Sequence, residues 1–311
     1  MAISKDSFGV RQIKILIEQN GKKETFIDYT LEANSELTSK HILRITFLAS
    51  FSVVESYSRC DLAIYNLAKN SVGDFIGKKI EVWASKDGEP LGCVYAGSIY
   101  NIAFEREGTD TVHRIYCGNL GQNNRPKMQK TLGKGSTVIQ FFKEVANHLK
   151  LPLDCQEEQF ANDQKFLRGL TLAGDPVWIL DAYKEQYGYE WNIENDRLYI
   201  NKTKSNRNGY TYEINIKTGM IGIPEIDSDS VGIYCNFETR LDTRLRCGSN
   251  VHVKSSYVTF TGGNVYILPK TFSGGKYEGG LDGKFVVQEL TLEGDTWGQN
   301  WKTKVKGRAN G

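Results

Sequence analysis

The sequence predicts a mainly β protein with a small α/β region in its middle. At both ends of the chain, short runs alternate apolar and polar residues, which is the period of a half-buried strand. Between them, two stretches place apolar residues at helical spacing. The pattern changes near Gly121 and again near Tyr210. We therefore expect an all-β domain over 1–120, an α/β domain over 121–205 and a second all-β domain over 206–311.

The strands of the N-terminal domain are predicted where apolar residues recur at every second position. Asn20-Gly21 and the stretch 86–90 are turn signals between such runs. Many short strands broken by turns are typical of a sandwich or a barrel. The alternating positions are Ile13, Ile15, Ile17, Ile45, Phe47, Leu62, Ile64, Ile80, Val82 and Ala84.

The middle domain opens with a polar stretch, 122–135, that is typical of a linker. An amphipathic helix follows it, with Thr137 and Gln140 spaced as a capping box, and Pro152 limits its length. The apolar face of this helix comprises Val138, Phe141, Phe142, Val145 and Leu149.

A second helix is predicted from its end signals. Asp175 suits the N-cap, Pro176 suits the first helical position, and Gly188 suits the position just past the end. A hairpin follows, in which residues 194–197 connect two apolar runs. The side chains expected to face inward from this helix are Ile179, Leu180, Tyr183 and Tyr187.

Strand patterns return from Tyr210 to the end of the chain and predict a second all-β domain of about 100 residues. No short tandem repeat is present in the sequence. The two β domains could still be structural duplicates without sequence similarity. The stretch 261–280 is rich in Gly, and one hypothesis makes it an insertion that faces a neighbour or a lumen.

Composition excludes several classes of protein. Hydrophobic residues make up 40% and charged residues 24%, and the net charge is +2, so the chain is neither disordered nor marked by a global basic footprint for nucleic acid. No window approaches about 18 apolar residues, and the N-terminus lacks the apolar core of a secretory signal. Membrane insertion is therefore not expected.

The six cysteines, none spaced as C-x-x-C, are interpreted as reduced and mostly buried.

Three short motifs resemble chemical sites and are explained better in other ways. Residues 227–238 match an EF-hand calcium loop at four positions, but Val231 offers no side-chain oxygen where a ligand is needed. In residues 132–137 no lysine directly precedes the serine, as a phosphate loop requires, so the stretch is better explained as a helix entry. Glu144 and His148 supply at most half of a metal site.

With four histidines and no nucleophile motif, we expect no enzyme, no catalytic residue, no metal and no cofactor. Two alternatives stay open. Trp297 and Trp301 lie four residues apart and could form a carbohydrate- or cell-wall-binding platform, although packing at a strand end also explains them. Dispersed carboxylates of the middle domain could form the acid and base of a cell-wall hydrolase.

Nine stretches between Tyr65 and the end of the chain carry a combined pattern: residues 65–67, 77–84, 94–100, 113–119, 135–138, 177–200, 218–225, 240–255 and 282–307. Taken together, they resemble the baseplate hub proteins of tailed phages. The similarity includes a tyrosine-asparagine-leucine turn, a closing Gly-Asp-Thr-Trp-Gly segment and the strands near them. Cys247 and Glu293 depart from the residues common in that family, which are Pro and His.

The motif residues that carry this resemblance have a structural interpretation. The motif glycines stand where chains must turn or approach one another closely. Asp295 and Thr296 are suited to capping a tight turn through hydrogen bonds from side chain to backbone. The complete set is Gly222, Pro224, Gly248, Gly283, Gly294, Asp295, Thr296 and Trp301.

The resemblance implies a hub of a phage tail tip, or of a phage-derived contractile injection system. Such hubs are homotrimers, and each subunit brings two tail-tube-like β-barrel domains that flank an α/β domain. Six barrels in a ring then adapt the sixfold tail tube to the threefold central spike. The implied partners are the spike protein, the tail tube or tube-initiator protein and the surrounding baseplate proteins. DNA would only pass through the lumen, without specific binding.

The implied location is the virion tail baseplate, with synthesis in the host cytoplasm. Because the chain ends at Gly311 without a β-helix repeat, we expect the spike to be a separate protein. Trimerisation and assembly with a spike would support the hub. Glycan binding lost on Trp301→Ala would support the binding module, and cell-wall clearing lost on a carboxylate substitution would support the hydrolase.

Overall fold

A computed structural model describes most of the chain and confirms a mainly β protein with few helices. The Gly-rich stretch singled out in the sequence lies almost wholly outside the described residues. These are residues 10–31, 43–54, 57–86, 88–119, 126–163, 165–203, 205, 207, 209–229, 232–261 and 280–309.

The strands and helices fall into three groups along the chain. The N-terminal strands are β1 (Arg11–Gln19), β2 (Lys22–Leu31), β3 (Ile45–Ser52), β4 (Tyr57–Tyr65), β5 (Lys79–Lys86), β6 (Gly92–Glu107) and β7 (Asp110–Gly118). The middle elements are β8 (Met128–Leu132), α1 (Val138–Leu149), β9 (Leu153–Cys155), β10 (Leu170–Gly174), α2 (Pro176–Tyr187), β11 (Tyr189–Glu194) and β12 (Arg197–Lys202). The C-terminal strands are β13 (Thr211–Ile214), β14 (Met220–Ser228), β15 (Ile233–Arg240), β16 (Asn250–Ser255), β17 (Thr259–Thr261), β18 (Leu281–Asp295) and β19 (Trp301–Ala309).

The two β regions form one continuous sheet of 14 strands within the described residues. They meet where β18 pairs antiparallel with β3, from Glu289 opposite Ser52 to Asp295 opposite Thr46. The main path runs β17-β14-β15-β19-β18-β3-β4-β7-β6-β5-β1-β2, and β16 with β13 branches from β18. Both regions contribute side chains to one shared hydrophobic core. The described strand pairs thus trace an open path, without a separate closed barrel at each end.

The N-terminal and C-terminal regions contain the same arrangement of five strands. The order β3-β4-β7-β6-β5, here named the N unit, recurs as β14-β15-β19-β18-β16, named the C unit. In both units the long strand pairs first with one neighbour and then with another. Both long strands also carry a one-residue bulge, at Tyr100 in β6 and at Gln288 in β18. The units are therefore structural counterparts.

Backbone hydrogen bonds fix the correspondence residue by residue. Gly77 donates to the carbonyl of Ile99 at 2.7 Å, and Gly248 donates to the carbonyl of Val287 at 2.8 Å. Two further bonds also match, from Ile99 to Lys78 and from Val287 to Ser249, each at 3.0 Å. Both glycines have left-handed backbones, with φ of +83° and +81°. The units differ beyond these strands, because β1 is antiparallel to β5 whereas β13 is parallel to β16.

The middle region has a hydrophobic core of its own. The Thr137–Gln140 capping box is present at the start of α1, and all five predicted apolar residues face this core. The polar stretch predicted as a linker is partly wrong, because β8 lies in it and pairs with β10. Only the two ends of β8, Met128 and Leu132, are buried, so the strand has almost no alternation to reveal it.

Helix α2 and the hairpin after it follow the predicted end signals. The Val177 amide donates to Asp175 Oδ1 at 2.9 Å, and Gly188 ends the helix with φ of +62°. The β11–β12 hairpin turns at Asn195 and Asp196, both with positive φ. Of the side chains expected inside, Ile179 and Leu180 are buried, and Tyr183 and Tyr187 pack partly buried against the same core.

The six thiols are free, as the reduced interpretation requires, and four of them are buried. Burial raises the pKa of the Cys93 thiol to about 11 and that of Cys155 to about 12. The thiolate is the reactive form, so these half-buried cysteines are poor nucleophiles at neutral pH.

Candidate functional site

The Gly-Asp-Thr-Trp-Gly segment, residues 294–298, makes contacts between the C unit and the N unit. It forms the connection between β18 and β19, and Asp295 lies at its start. Arg44, which precedes β3, donates to both carboxylate oxygens of Asp295, at 2.7 and 3.3 Å. The Trp297 amide donates to Oδ1 of the same carboxylate at 3.0 Å. Asp295 therefore caps the turn and holds an arginine from the other unit.

The pKa of Asp295 lies below its ordinary value of 3.8. Burial by itself raises it, but the hydrogen bonds from Arg44 and from two backbone amides favour the charged form and outweigh burial. The carboxylate is therefore ionised throughout the neutral range and keeps its bonds to Arg44.

Thr296 and Gly294 complete this contact. The Ile45 amide donates to Thr296 Oγ1 at 2.9 Å, and the Thr296 amide donates to the Ile45 carbonyl at 3.0 Å. A Cβ at Gly294 would lie 2.1 Å from Phe47 Cε1, so the phenylalanine ring occupies the space of a missing side chain. These motif residues lock β18 against β3, because each satisfies or contacts a group on the other unit.

Trp301 is buried where several elements of both units meet. It is 2% exposed, its indole Nε1 donates to the Ser85 carbonyl at 3.1 Å, and its ring packs edge-on against Phe47. The Arg11 guanidinium lies 5.3 Å from the indole centre and donates to the carbonyls of Asp295 and Gly298. Trp297 is 49% exposed. The two tryptophans therefore do not share an exposed surface, and the predicted platform loses one of its two members.

Gly248 stands at a second junction, between the C unit and the middle region. A Cβ there would lie 1.9 Å from Tyr199 Oη, and its carbonyl accepts from the Arg207 amide at 2.8 Å. Together with its positive φ, this close approach explains why the motif has glycine at this position.

A buried ion cluster surrounds that junction. Glu194, at the end of β11, is 1% exposed and contacts Arg207 at 2.6 Å and Arg246 at 3.3 Å. Arg207 also bonds Asp154 at 2.6 Å, and Arg246 donates to the Cys93 carbonyl in β6. Burial lowers the pKa of Arg207, but the two carboxylates more than offset this and raise it, so the Arg207 guanidinium stays charged. It connects the middle region with both units.

Further contacts hold the middle region on the N unit through the β11–β12 turn. Asn195 Oδ1 accepts from the Ala96 amide at 2.9 Å. Asp196 pairs with Lys79 at 2.6 Å, and Ser58 Oγ donates to the Ile193 carbonyl at 2.5 Å. The sequence signals for the hairpin predicted its turn but not that this turn would contact β4, β5 and β6.

Gly222 and Pro224 lie in an irregular stretch of β14. Ile221 is opposite Glu238 and Glu225 is opposite Asn236, so β14 has two residues more than its partner across this stretch. Gly222 takes up the bend with φ of +71°. The remaining motif glycine, Gly283, is buried in β18 opposite Val253.

The chemical lookalikes of the sequence do not assemble into sites. Asp227 lies in β14 and Glu238 in β15, while Val231 is outside the described residues. Glu144 pairs with Lys130, and His148 Nε2 contacts the Pro126 carbonyl. Within the described part of the chain, no three His, Cys, Asp or Glu side chains are grouped to hold a metal ion.

The structure also reveals functional residues that the sequence did not single out. Arg11, Arg44 and Glu194 hold the units and the middle region together, but nothing near them in sequence marks them. A signal for the duplication was present: the spacing Gly-x-x-Ile/Val-x-Val occurs at 77–82 and again at 248–253. These are the glycines that the backbone hydrogen bonds match.

Comparison with known proteins identifies the family. A family model described as baseplate hub gp41 matches residues 62–268, about two thirds of the chain. The chain belongs to the baseplate hub gp41 family. Membership implies a component of the virion tail with a structural role and not an enzymatic one, as the sequence led us to expect. Among curated proteins, none matches the sequence.

Solved structures share the fold at low sequence identity. A tail protein from Neisseria meningitidis MC58 aligns with a TM-score of 0.57 and 11% identity, over 97% of both chains. The 43 kDa tail protein of prophage MuSo2 from Shewanella oneidensis aligns with a TM-score of 0.55 and 9% identity, over 96% of this chain and 98% of that one.

A third similar structure is the c3393 protein of E. coli, a type VI secretion component with structural similarity to the T4 tail proteins gp27 and gp5. It aligns with a TM-score of 0.55 and 8% identity, over 88% of this chain and 75% of that one. Among the described residues of this baseplate hub family member, no helix is long and apolar enough to cross a membrane.

Proposed function

We propose that this protein is the trimeric hub at the tip of a phage tail or of a phage-derived contractile injection system. Two of its properties support the proposal: its family, and the two counterpart β units joined in one sheet. Three chains would present six such units. A ring of this kind matches a sixfold tail tube on one side and a threefold spike on the other.

In this proposal the domains over 1–120 and 206–311 each supply one tube-like unit of the ring, and the α/β domain over 121–205 lies between them in sequence. The motif residues from Gly222 to Trp301 keep the units in place, and none of them performs chemistry. The partners are a central spike protein, the tail tube or its initiator, and neighbouring baseplate proteins. DNA passes through the lumen without specific binding, and the chain is made in the host cytoplasm before assembly.

The observation that carries the proposal is the β18–β3 pairing, because it sets two counterpart units side by side as neighbours in a ring would be set. The binding-module alternative is weakened by the burial of Trp301. A hydrolase has no support in the family of the chain.

The test is the solution mass of the full chain by light scattering, alone and with the candidate spike protein from the same gene cluster. We expect a mass near three times 35.1 kDa, or a complex of three hubs with three spike chains. A monomer under both conditions would contradict the preformed trimer. Glycan binding by such a monomer, lost on Trp297→Ala, would favour the binding module instead.

A further inference from the structure

The distal half of β6 has one edge without a partner strand. Residues 101–107 pair with β7 on one side, and no described strand lies on the other side. The counterpart residues in β18, 289–295, pair with β19 on one side and with β3 on the other. The N unit therefore has a free edge at the place where the C unit has a filled one.

Burial of the counterpart side chains differs in the same way. Leu290 and Leu292 of β18 are fully buried. Their counterparts in β6 are Ile102, which is partly buried, and Phe104, which is 46% exposed. Phe104 lies on the core side of the sheet, because it shares a face of β6 with Ile102, which packs against the core, and its ring contacts the buried His113 with centroids 4.7 Å apart. An aromatic side chain is thus exposed at a position that the C unit buries completely.

Among the described strands, the far end of the sheet offers a second edge without a partner strand. There β17 pairs with β14, the counterpart of β3, and all three residues of β17 are exposed. Phe260 lies opposite Ile226, a buried core residue, and is 44% exposed. Each chain therefore has one exposed aromatic side chain on the core side at each of two different edges.

We propose that the distal edge of β6 in one copy pairs antiparallel with β17 of a second copy, so that the sheet continues from chain to chain. This inference rests on the proposed hub function and names the surfaces that would join its subunits. The contact is head-to-tail, since each copy supplies a different edge, and repeated contacts of this kind form a ring when the rotation between copies closes, as the proposed trimer requires. Backbone groups left unpaired on both edges would then be satisfied.

The register follows from the pairing inside the chain. Leu292 lies opposite Ala49, whose counterpart in the C unit is Ile226, and Ile226 lies opposite Phe260. The same relation places Phe104 of one copy opposite Phe260 of the next. It also places Glu105 opposite Thr259.

The presence of β17 in this contact has a physical reason. If β6 paired directly with β14 in the same register, Glu105 would lie opposite Glu225, and two carboxylates directly across a strand pair repel each other. The intervening β17 puts a threonine between these carboxylates. It also supplies the aromatic partner, and aromatic pairs across strands are favourable.

A charge exchange across the predicted pair tests the contact. The variants are Phe104→Lys, Phe260→Glu and the double variant, each measured as the full chain by light scattering over a dilution series. Each single variant is expected to weaken association about tenfold or more per contact, because it removes one ring of the aromatic pair and leaves a charge to be desolvated in the contact. The double variant is expected to recover most of the loss, because the introduced ammonium of one copy would then face the introduced carboxylate of the next.

Trp178→Lys is the matched control, because Trp178 is an exposed aromatic residue on α2 and belongs to neither edge. It should leave the mass unchanged. Retention of the wild-type mass by both single variants would overturn the interface while leaving the oligomeric hub intact. A double variant as weak as the single ones would overturn the register. A wild-type chain that stays monomeric at every concentration, with and without the spike, would overturn the interface together with the trimer.

Discussion

Strand β18 of the C unit and strand β6 of the N unit differ by one residue in length, and each carries the same one-residue bulge. Yet the distal half of β18 is paired on both edges and that of β6 on one. Where β3 packs on β18, the chain has Gly294, and its counterpart in β6 is Arg106. One strand arrangement is thus adapted to two surroundings: Gly294 allows close contact with β3, and Arg106 places a charge at an edge that faces water.

The largest expected difference between the units concerns their counterpart apolar residues. Leu292→Ala should lower the free energy of unfolding by about 3 kcal/mol, because it leaves a cavity in a fully buried site. Phe104→Ala should cost below about 1 kcal/mol in a dilute, monomeric sample, because its ring is half exposed. Urea unfolding of both variants measures this. Equal losses would show that the edge of β6 is as well covered as that of β18.

The second difference in stability is expected between the two glycines at counterpart positions, Gly248 and Gly77. Gly248→Ala combines a left-handed backbone with a contact 1.9 Å from Tyr199 Oη, so it should cost about 3 kcal/mol. Gly77→Ala has the same backbone conformation and no atom within 4 Å, so it should cost about 1–2 kcal/mol. The difference between the two losses isolates the contact with the middle region. If both variants lose the same amount in urea unfolding, Tyr199 gives way without cost.

The smallest expected effect lies at the ends of the two long strands. Asp295→Asn should lower the free energy of unfolding by about 1–2 kcal/mol at pH 7, because it removes the charged partner of Arg44. Glu107→Gln, at the counterpart position, should cost less than about 0.5 kcal/mol, because the Glu107–Arg114 pair is exposed. Urea unfolding of both variants at pH 7 measures the difference, and a larger loss for Glu107→Gln would reverse the expected order.

The effect of pH on the Asp295 contribution has a definite sign. Since the folded state lowers the pKa of Asp295, its stabilising contribution is present above the ordinary value of 3.8 and is lost as the pH falls through and below it. The difference in the free energy of unfolding between wild type and Asp295→Asn should therefore become smaller as the pH falls from about 5 to about 3. A gap that stays constant over this range would show that the carboxylate gains nothing from its charge in the folded state.

The parts of the fold that depend on near neighbours in sequence could be predicted. Thr137 and Gln140 cap α1, Asp175 and Gly188 bound α2, and Asn195-Asp196 forms the hairpin turn. The closing motif was also identified, because its turn forms within a few residues. Strand β8 was missed, since a short strand buried only at its ends shows no alternation.

Local patterns in the sequence predicted the helix ends, the hairpin turn and most of the strands, because periods of two and 3.6 residues and capping spacings are local properties. The fold shows in addition that the two β regions are counterparts and share one sheet. Arg44 and Asp295 are 251 residues apart, and the β18–β3 register depends on all the strands that lie between them in the fold. Contacts of such separation are chosen by the joint burial of the whole core, which no local pattern records.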